Sequence, residues 1–161
     1  MFQSEKLNVV ARLTSPATRA IDTLIWSTIG LYDSAPIAEL SELYTPVGAP
    51  GAFLNGAMKA FETRWKEYFA DPISGPLLDR LGQRAAREIA EFTVSANIQR
   101  GVVLIATHGP LCFKIAESLA ALFNPEAENR AMAKSYFESR DAKVGDRLVV
   151  SHASMNHIKL K

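Results

Sequence analysis

One cysteine, three histidines and no charge surplus leave this chain of 161 residues few chemistries to choose from. A single thiol, Cys112, excludes an internal disulfide and a zinc site built from several cysteines. It falls on the apolar face of a predicted helix, which reads as a plain packed thiol rather than a nucleophile. Eighteen basic residues face 17 acidic ones, for a net charge of +1. That balance offers no long-range attraction to nucleic acid, and no basic run interleaved with aromatics restores one. No apolar run reaches the roughly 20 residues that a membrane span needs. Met1-Phe2-Gln3-Ser4-Glu5-Lys6 lacks the apolar core of a signal peptide. His152 and His157 stand five apart, a poor spacing for a metal pair. The expectation is one cytoplasmic domain over residues 1–161, with no metal, no cofactor, no nucleic acid and no membrane partner.

What is present is an alternation of short apolar runs with amphipathic stretches. Residues 7–13 read as a strand that ends before Pro16, because the residue preceding a proline avoids helical geometry. A helix is predicted over residues 17–31, with Ala20, Leu24, Ile25, Thr28 and Leu31 on one face. Residues 35–40 form a second strand, which Pro36 assigns to a sheet edge. Residues 41–55, punctuated by Gly and Pro, read as a loop of the length that serves binding. A helix over residues 56–70 carries Met58, Phe61, Trp65 and Phe69 as an apolar stripe facing the core. Pro76 opens a long helix to residue 97 that turns Leu77, Leu81, Ala85, Ile89 and Phe92 to one side. Asp79, Arg80, Arg84, Arg87, Glu88 and Glu91 form its solvated side, with pairs such as Arg84–Glu88. Residues 126–140 read as a further helix, 141–146 as a turn and 147–152 as a last strand. Strands alternating with helices predict an α/β domain of three layers, α/β/α, around a small, mostly parallel sheet.

The sequence centres on Val102-Val103-Leu104-Ile105-Ala106, five apolar residues without alternation. That pattern suits a strand buried on both faces. It runs into Thr107-His108-Gly109, and Pro110 then starts a helix to residue 123. A polar residue at the carboxyl end of a strand, beside a helix start, is where open α/β sheets bind ligands. Helix starts favour anions, so His108 is the first candidate site residue. Arg19 lies near the start of the helix that follows Thr14-Ser15-Pro16, placing it toward the same end of the sheet. Its guanidinium can present paired donors to phosphate oxygens.

Three segments in order resemble the histidine phosphatase superfamily, which includes phosphoglycerate mutases and small phosphohistidine phosphatases. Ser15-Pro16-Ala17-Thr18-Arg19-Ala20, followed by Thr23, is similar to that family's Ser-Pro-x-x-Arg-Ala…Thr segment. Leu40-Ser41-Glu42 is similar to its Leu-x-Glu segment, and Val103 to Gly109 to its second histidine segment. The resemblance spans about residues 7 to 123. It implies a phosphoglycerate mutase-like fold, phosphate binding by Ser15, Arg19, His108 and Gly109, and Glu42 as the acid that protonates a leaving group.

The family's opening strand, ending in Arg-His-Gly and supplying the attacking histidine, has no counterpart, since Arg-His-Gly occurs nowhere in the chain. The resemblance therefore implies a domain lacking the first strand. It would bind a phosphate, a phosphorylated small molecule or a phosphoprotein, with catalysis impaired or lost. A sheet short of a strand has an open place, and a homodimer is expected to fill it. Two other readings stand beside this one. The first is an active phosphomonoesterase or phosphohistidine phosphatase with an unconventional nucleophile. The second is an interaction module with no ligand site.

Overall fold

The computed structural model describes residues 8–30, 34–44, 46, 48–61, 64–123, 147–150 and 155–158. The fold is α/β, with a three-stranded parallel sheet and five α-helices among the described residues. The predicted helix over 126–140, the turn over 141–146, and Leu31 and His152 lie outside them. The chain divides into two compact units. One holds residues up to Tyr44 together with Arg87–His108, and the other holds Thr45–Ala86 together with residues from Gly109 onward.

The first unit contains the parallel sheet. Strand β1 (Val9–Thr14) is followed by helix α1 (Thr18–Thr28) and strand β2 (Ile37–Glu39), and later by strand β3 (Val102–Ala106). Their order is β2-β1-β3. Arg12 lies opposite Ile37 on one side and Leu104 on the other, and Thr14 lies opposite Glu39 and Ala106. The edge position expected of the Pro36 strand is observed. The burial on both faces expected of Val102–Ala106 is not. β1 is the central strand, with Ala11, Arg12, Leu13 and Thr14 all buried, whereas every residue of β3 is half-buried.

The physical reason lies in how β1 hides its polar groups. The Arg12 guanidinium donates from Nε and Nη2 to the Ala35 carbonyl (2.9 and 2.7 Å) and from Nη1 to Thr28 Oγ1 (3.0 Å). Thr28 in turn passes its own proton to the Leu24 carbonyl at 2.6 Å. A buried charge is tolerated when its donors are satisfied. Arg12 thus ties the end of α1 and the approach to β2 onto the central strand. α1 buries Ala20, Leu24 and Thr28 at intervals of four, while Ile25, expected on that face, is exposed, as are Trp26 and Ile29.

The segment expected to be one long loop is largely helical. A 3₁₀ turn covers Ser41–Leu43, and helix α2 runs over Ala49–Phe61. Pro50 sits in the first turn of α2, where its missing N–H breaks no intrahelical bond. The punctuation by proline therefore marks a helix start rather than an irregular loop. The single helix expected over 56–70 is divided, with helix α3 over Trp65–Ala70. Its buried anchor is Tyr68, whose hydroxyl donates to the Leu54 carbonyl at 3.2 Å and whose ring tilts against Phe61 at 5.6 Å. Burial, with Asp71 adding to it, pushes the Tyr68 phenol up to about 12. Phe69 meets Phe113 edge-on at 6.0 Å.

Helix α4 (Ser74–Ser95) is capped by Asp71, which accepts from the Ser74 N–H at 2.7 Å and the Ile73 N–H at 3.2 Å. The Ser74 N–H bond is the main reason the Asp71 carboxyl is held below its ordinary value. α4 buries Leu78, Leu81, Ala85, Ala86 and Ile89. Helix α5 (Gly109–Phe123) approaches it closely, since a Cβ on Gly82 would lie 2.6 Å from the Lys114 carbonyl. Beside that contact the Lys114 ammonium pairs with Asp79 (2.7 Å) and Glu117 (3.0 Å). Desolvation opposes its charge, but the two carboxylates hold its pKa above the ordinary value.

Strand β4 (Arg147–Val150) pairs antiparallel with β5 (Met155–Ile158) in a separate two-stranded sheet.

Gly101, with φ +131, admits the chain to β3, and a Cβ there would come within 2.5 Å of Val10 Cγ1. Gly101→Ala is expected to destabilise the protein by about 2 kcal/mol, through strain and overpacking. A lowered midpoint in urea denaturation would show it, and an unchanged midpoint would contradict it.

Candidate functional site

Because the three strands are parallel, their carboxyl ends lie together. The backbone knits those ends beyond the last strand residues. Ser15 N–H donates to the Ala106 carbonyl (3.1 Å) and Leu40 N–H to the Thr14 carbonyl (2.9 Å). The Thr107 hydroxyl donates to the Leu43 carbonyl at 2.7 Å, fastening the turn after β2 to the end of β3. On the other side of that turn, the Glu88 carboxylate accepts from the Glu42 N–H at 2.9 Å and from Ser41 Oγ at 3.4 Å. Glu88, expected on a solvated helix face, is a half-buried cap.

On this frame His108 meets two of the residues singled out in the sequence. Its Nε2 lies 2.8 Å from Ser15 Oγ, and its Nδ1 lies 3.1 Å from Arg19 Nη2. The Tyr44 ring packs edge-on to the imidazole, with centroids 5.2 Å apart and planes at 71°. Ser15 is fully buried, His108 half-buried and Arg19 exposed. The cluster thus grades from the protein interior to solvent.

The proton positions follow from the partners. A guanidinium has donors only, so Nδ1 must accept from Arg19 with its lone pair. The neutral ring then carries its hydrogen on Nε2 and donates it to Ser15 Oγ. Burial, and then the positive charge of Arg19, lower the pKa of His108 below its ordinary value of 6.5. Both effects disfavour the imidazolium, as does an Nδ1 hydrogen that would face the guanidinium. The same arrangement excludes a serine nucleophile activated by His108. Nε2 has no free lone pair to take the Ser15 proton, and Ser15 is closed to solvent.

Glu42 stands on the 3₁₀ turn at the same end of the sheet, half-buried, with its N–H held by Glu88. Gly109 is the exposed first residue of α5, and a Cβ there would meet open space. Burial pushes the Cys112 thiol up to about 12, which leaves it protonated and poorly nucleophilic near neutral pH. Among the described residues no group of three or more His, Cys, Asp or Glu could hold a metal ion. No described helix is long and apolar enough to cross a membrane. Tyr44, Thr107 and Glu88 are the site's supports that sequence reasoning missed. Only Thr107, beside His108, carried a signal in its position.

Comparisons with protein-family models, with curated proteins and with solved structures each return no match.

The His108 ring protons give a direct check by NMR titration. The midpoint is expected below 6.5, and Arg19→Gln should move it upward by removing the neighbouring charge. A depressed value in the folded state means that the unfolded chain binds the proton first as pH falls. Stability from this group is therefore complete above pH 6.5 and is lost as pH drops through 6.5 to the depressed midpoint. A midpoint unmoved by Arg19→Gln would show that the guanidinium does not face the ring in solution.

Proposed function

We propose that the Ser15–Arg19–His108 cluster binds the phosphate of a phosphorylated small molecule or phosphoprotein. In this reading the chain is a histidine phosphatase-like domain with a phosphoglycerate mutase-like, three-layer fold lacking its first strand. The observation that carries the reading is the meeting of Arg19 with His108, 89 residues apart in sequence, at the carboxyl ends of β1 and β3. Arg19 supplies an exposed planar fork of donors, the geometry that suits phosphate oxygens. The first turn of α1 adds to the attraction, since it holds no acidic residue and its N-cap, Ala17, makes no side-chain cap. Ser15 holds the imidazole in place from the buried side. Glu42 takes the part of a residual acid and Gly109 leaves room for the ligand.

The reading assigns little or no hydrolytic activity, because the attacking histidine of Arg-His-Gly is missing from the sequence. A homodimer belongs to it as well. β3 pairs on one side only among the described residues, and its five apolar residues are half-buried. An apolar strand edge without charge or proline is a template for another strand. Light scattering on the eluted protein is expected to give twice the chain mass, and a clean monomer would refute the dimer.

Inorganic phosphate titrated into the protein, followed by calorimetry or backbone NMR, tests the binding itself. Arg19→Ala should weaken it by roughly tenfold, the cost of one hydrogen bond to a charged group, and His108→Ala should weaken it less, by removing the ring that orients the guanidinium. Unchanged affinity in both variants would remove the basis of the proposal. Turnover of p-nitrophenyl phosphate that disappears in His108→Ala would favour the active-phosphatase reading instead.

A further inference from the structure

Helix α1 carries a second apolar face that its packing on the sheet does not use. Ala20, Leu24 and Thr28 turn toward the interior, yet Ile25, Trp26 and Ile29 stand 39, 75 and 58 % exposed. At 3.6 residues per turn these three share one side of the helix, opposite the buried stripe. The Ile29 N–H bonds the Ile25 carbonyl at 2.9 Å, which holds Ile29 to the last turn. Arg19, exposed as well, lies seven residues before Trp26, so the two fall within about 20° of one line down the helix. The guanidinium that meets His108 at 3.1 Å and the exposed indole are thus two stations on one ridge. We propose that this ridge docks a phosphorylated protein segment carrying an apolar side chain about three residues from its phosphate. The inference rests on the phosphate-binding reading of Arg19 and His108.

Charge and spacing together name this occupant. Seven helical residues rise about 10.5 Å, and three residues of extended chain span about 10 Å. A phosphate held by the guanidinium at the helix start therefore leaves an aliphatic side chain at the indole, with Ile25 and Ile29 beside it. Between the two stations the ridge is polar. Asp22 and Thr23 are both exposed, and the Thr23 hydroxyl donates to the Arg19 carbonyl at 2.7 Å. A peptide crosses such a stretch with its own polar backbone. An alkyl chain leaving a phosphate would lay its methylenes along the Asp22 carboxylate, and a second phosphate would be repelled by it. A single phosphorylated sugar ends short of the indole. An exposed Trp among aliphatic residues is also the composition that anchors protein interfaces, where Trp is enriched among the residues that dominate binding.

Calorimetry on the full chain provides the test, with inorganic phosphate and four phosphorylated probes. Two probes are glycine peptides holding one phosphoserine and one leucine, the leucine three residues before or three residues after the phosphate. The third is the same peptide without leucine, and the fourth is hexyl phosphate. At least one leucine peptide is expected to bind roughly tenfold tighter than the peptide without leucine, as burial of about half a leucine side chain supplies. That gain should vanish in Trp26→Ala, while the affinity for inorganic phosphate stays unchanged. Trp26 is an exposed helix residue, so alanine there is compatible with the fold. The indole N–H signal lost in that variant identifies Trp26 among the two tryptophans of the chain, and it should shift with the leucine peptide alone. Equal affinity for all three peptides, or a gain that survives Trp26→Ala, overturns the proposal and leaves the phosphate site standing. A gain with hexyl phosphate that equals the peptide's and depends on Trp26 overturns it in favour of an alkyl phosphate. Absence of binding by inorganic phosphate and by every probe removes both readings.

Discussion

The parallel pairing of β1 with β3 is the constraint on which the candidate site depends. Thr14 opposite Ala106 brings the next residues, Ser15 and Thr107-His108, to one end of the sheet. The Ser15 N–H extends the ladder to the Ala106 carbonyl. A slip of one residue would turn every side chain of β3 to the opposite face and carry His108 away from Ser15. Gly101 admits the chain to β3 at a backbone angle that other residues rarely adopt. The buried side chains of β1 hold the register from within, and Arg12 binds the neighbouring loop carbonyl to the same strand.

The chemistry of the cluster follows from its gradient of exposure. Ser15 is sealed and accepts the Nε2 hydrogen, so the ring cannot rotate freely or exchange tautomers without breaking that bond. Arg19 is exposed and meets the ring from the solvent side. Between them His108 is kept neutral by burial and by the guanidinium charge. A cation beside a neutral ring leaves one strong donor group and one lone pair at the surface.

Much of the architecture was legible in linear order. The apolar runs of β1 and β3, the helices that begin near Pro16, Pro76 and Pro110, and the edge position of the Pro36 strand all follow from local rules about proline and periodicity. The errors have a common origin. Residues 41–55 read as a loop under the rule that proline breaks regular structure, although Pro50 occupies a helix's first turn. Val102–Ala106 read as buried on both faces because it is uniformly apolar, although the strand with a buried arginine is the more deeply buried of the two. Glu88 read as a surface charge because nothing in its own helix reveals that it caps a turn 46 residues away.

By itself the sequence determined the α/β alternation, the carboxyl-end placement of His108, and the placement of Arg19 at the start of α1. These depend on the period of apolar residues and on the backbone limits of Pro, which act over a few residues. Only the tertiary structure decided which strand is central, which nitrogen of His108 carries the hydrogen, and that Arg19 and Ser15 hold opposite sides of one ring. Those outcomes depend on hydrogen bonds between residues 89 and 93 positions apart, and on a burial gradient that no local pattern encodes. A hydrogen-bond partner far away in the chain is chosen by register and packing, so the proton on an imidazole is a property of the fold rather than of the residue.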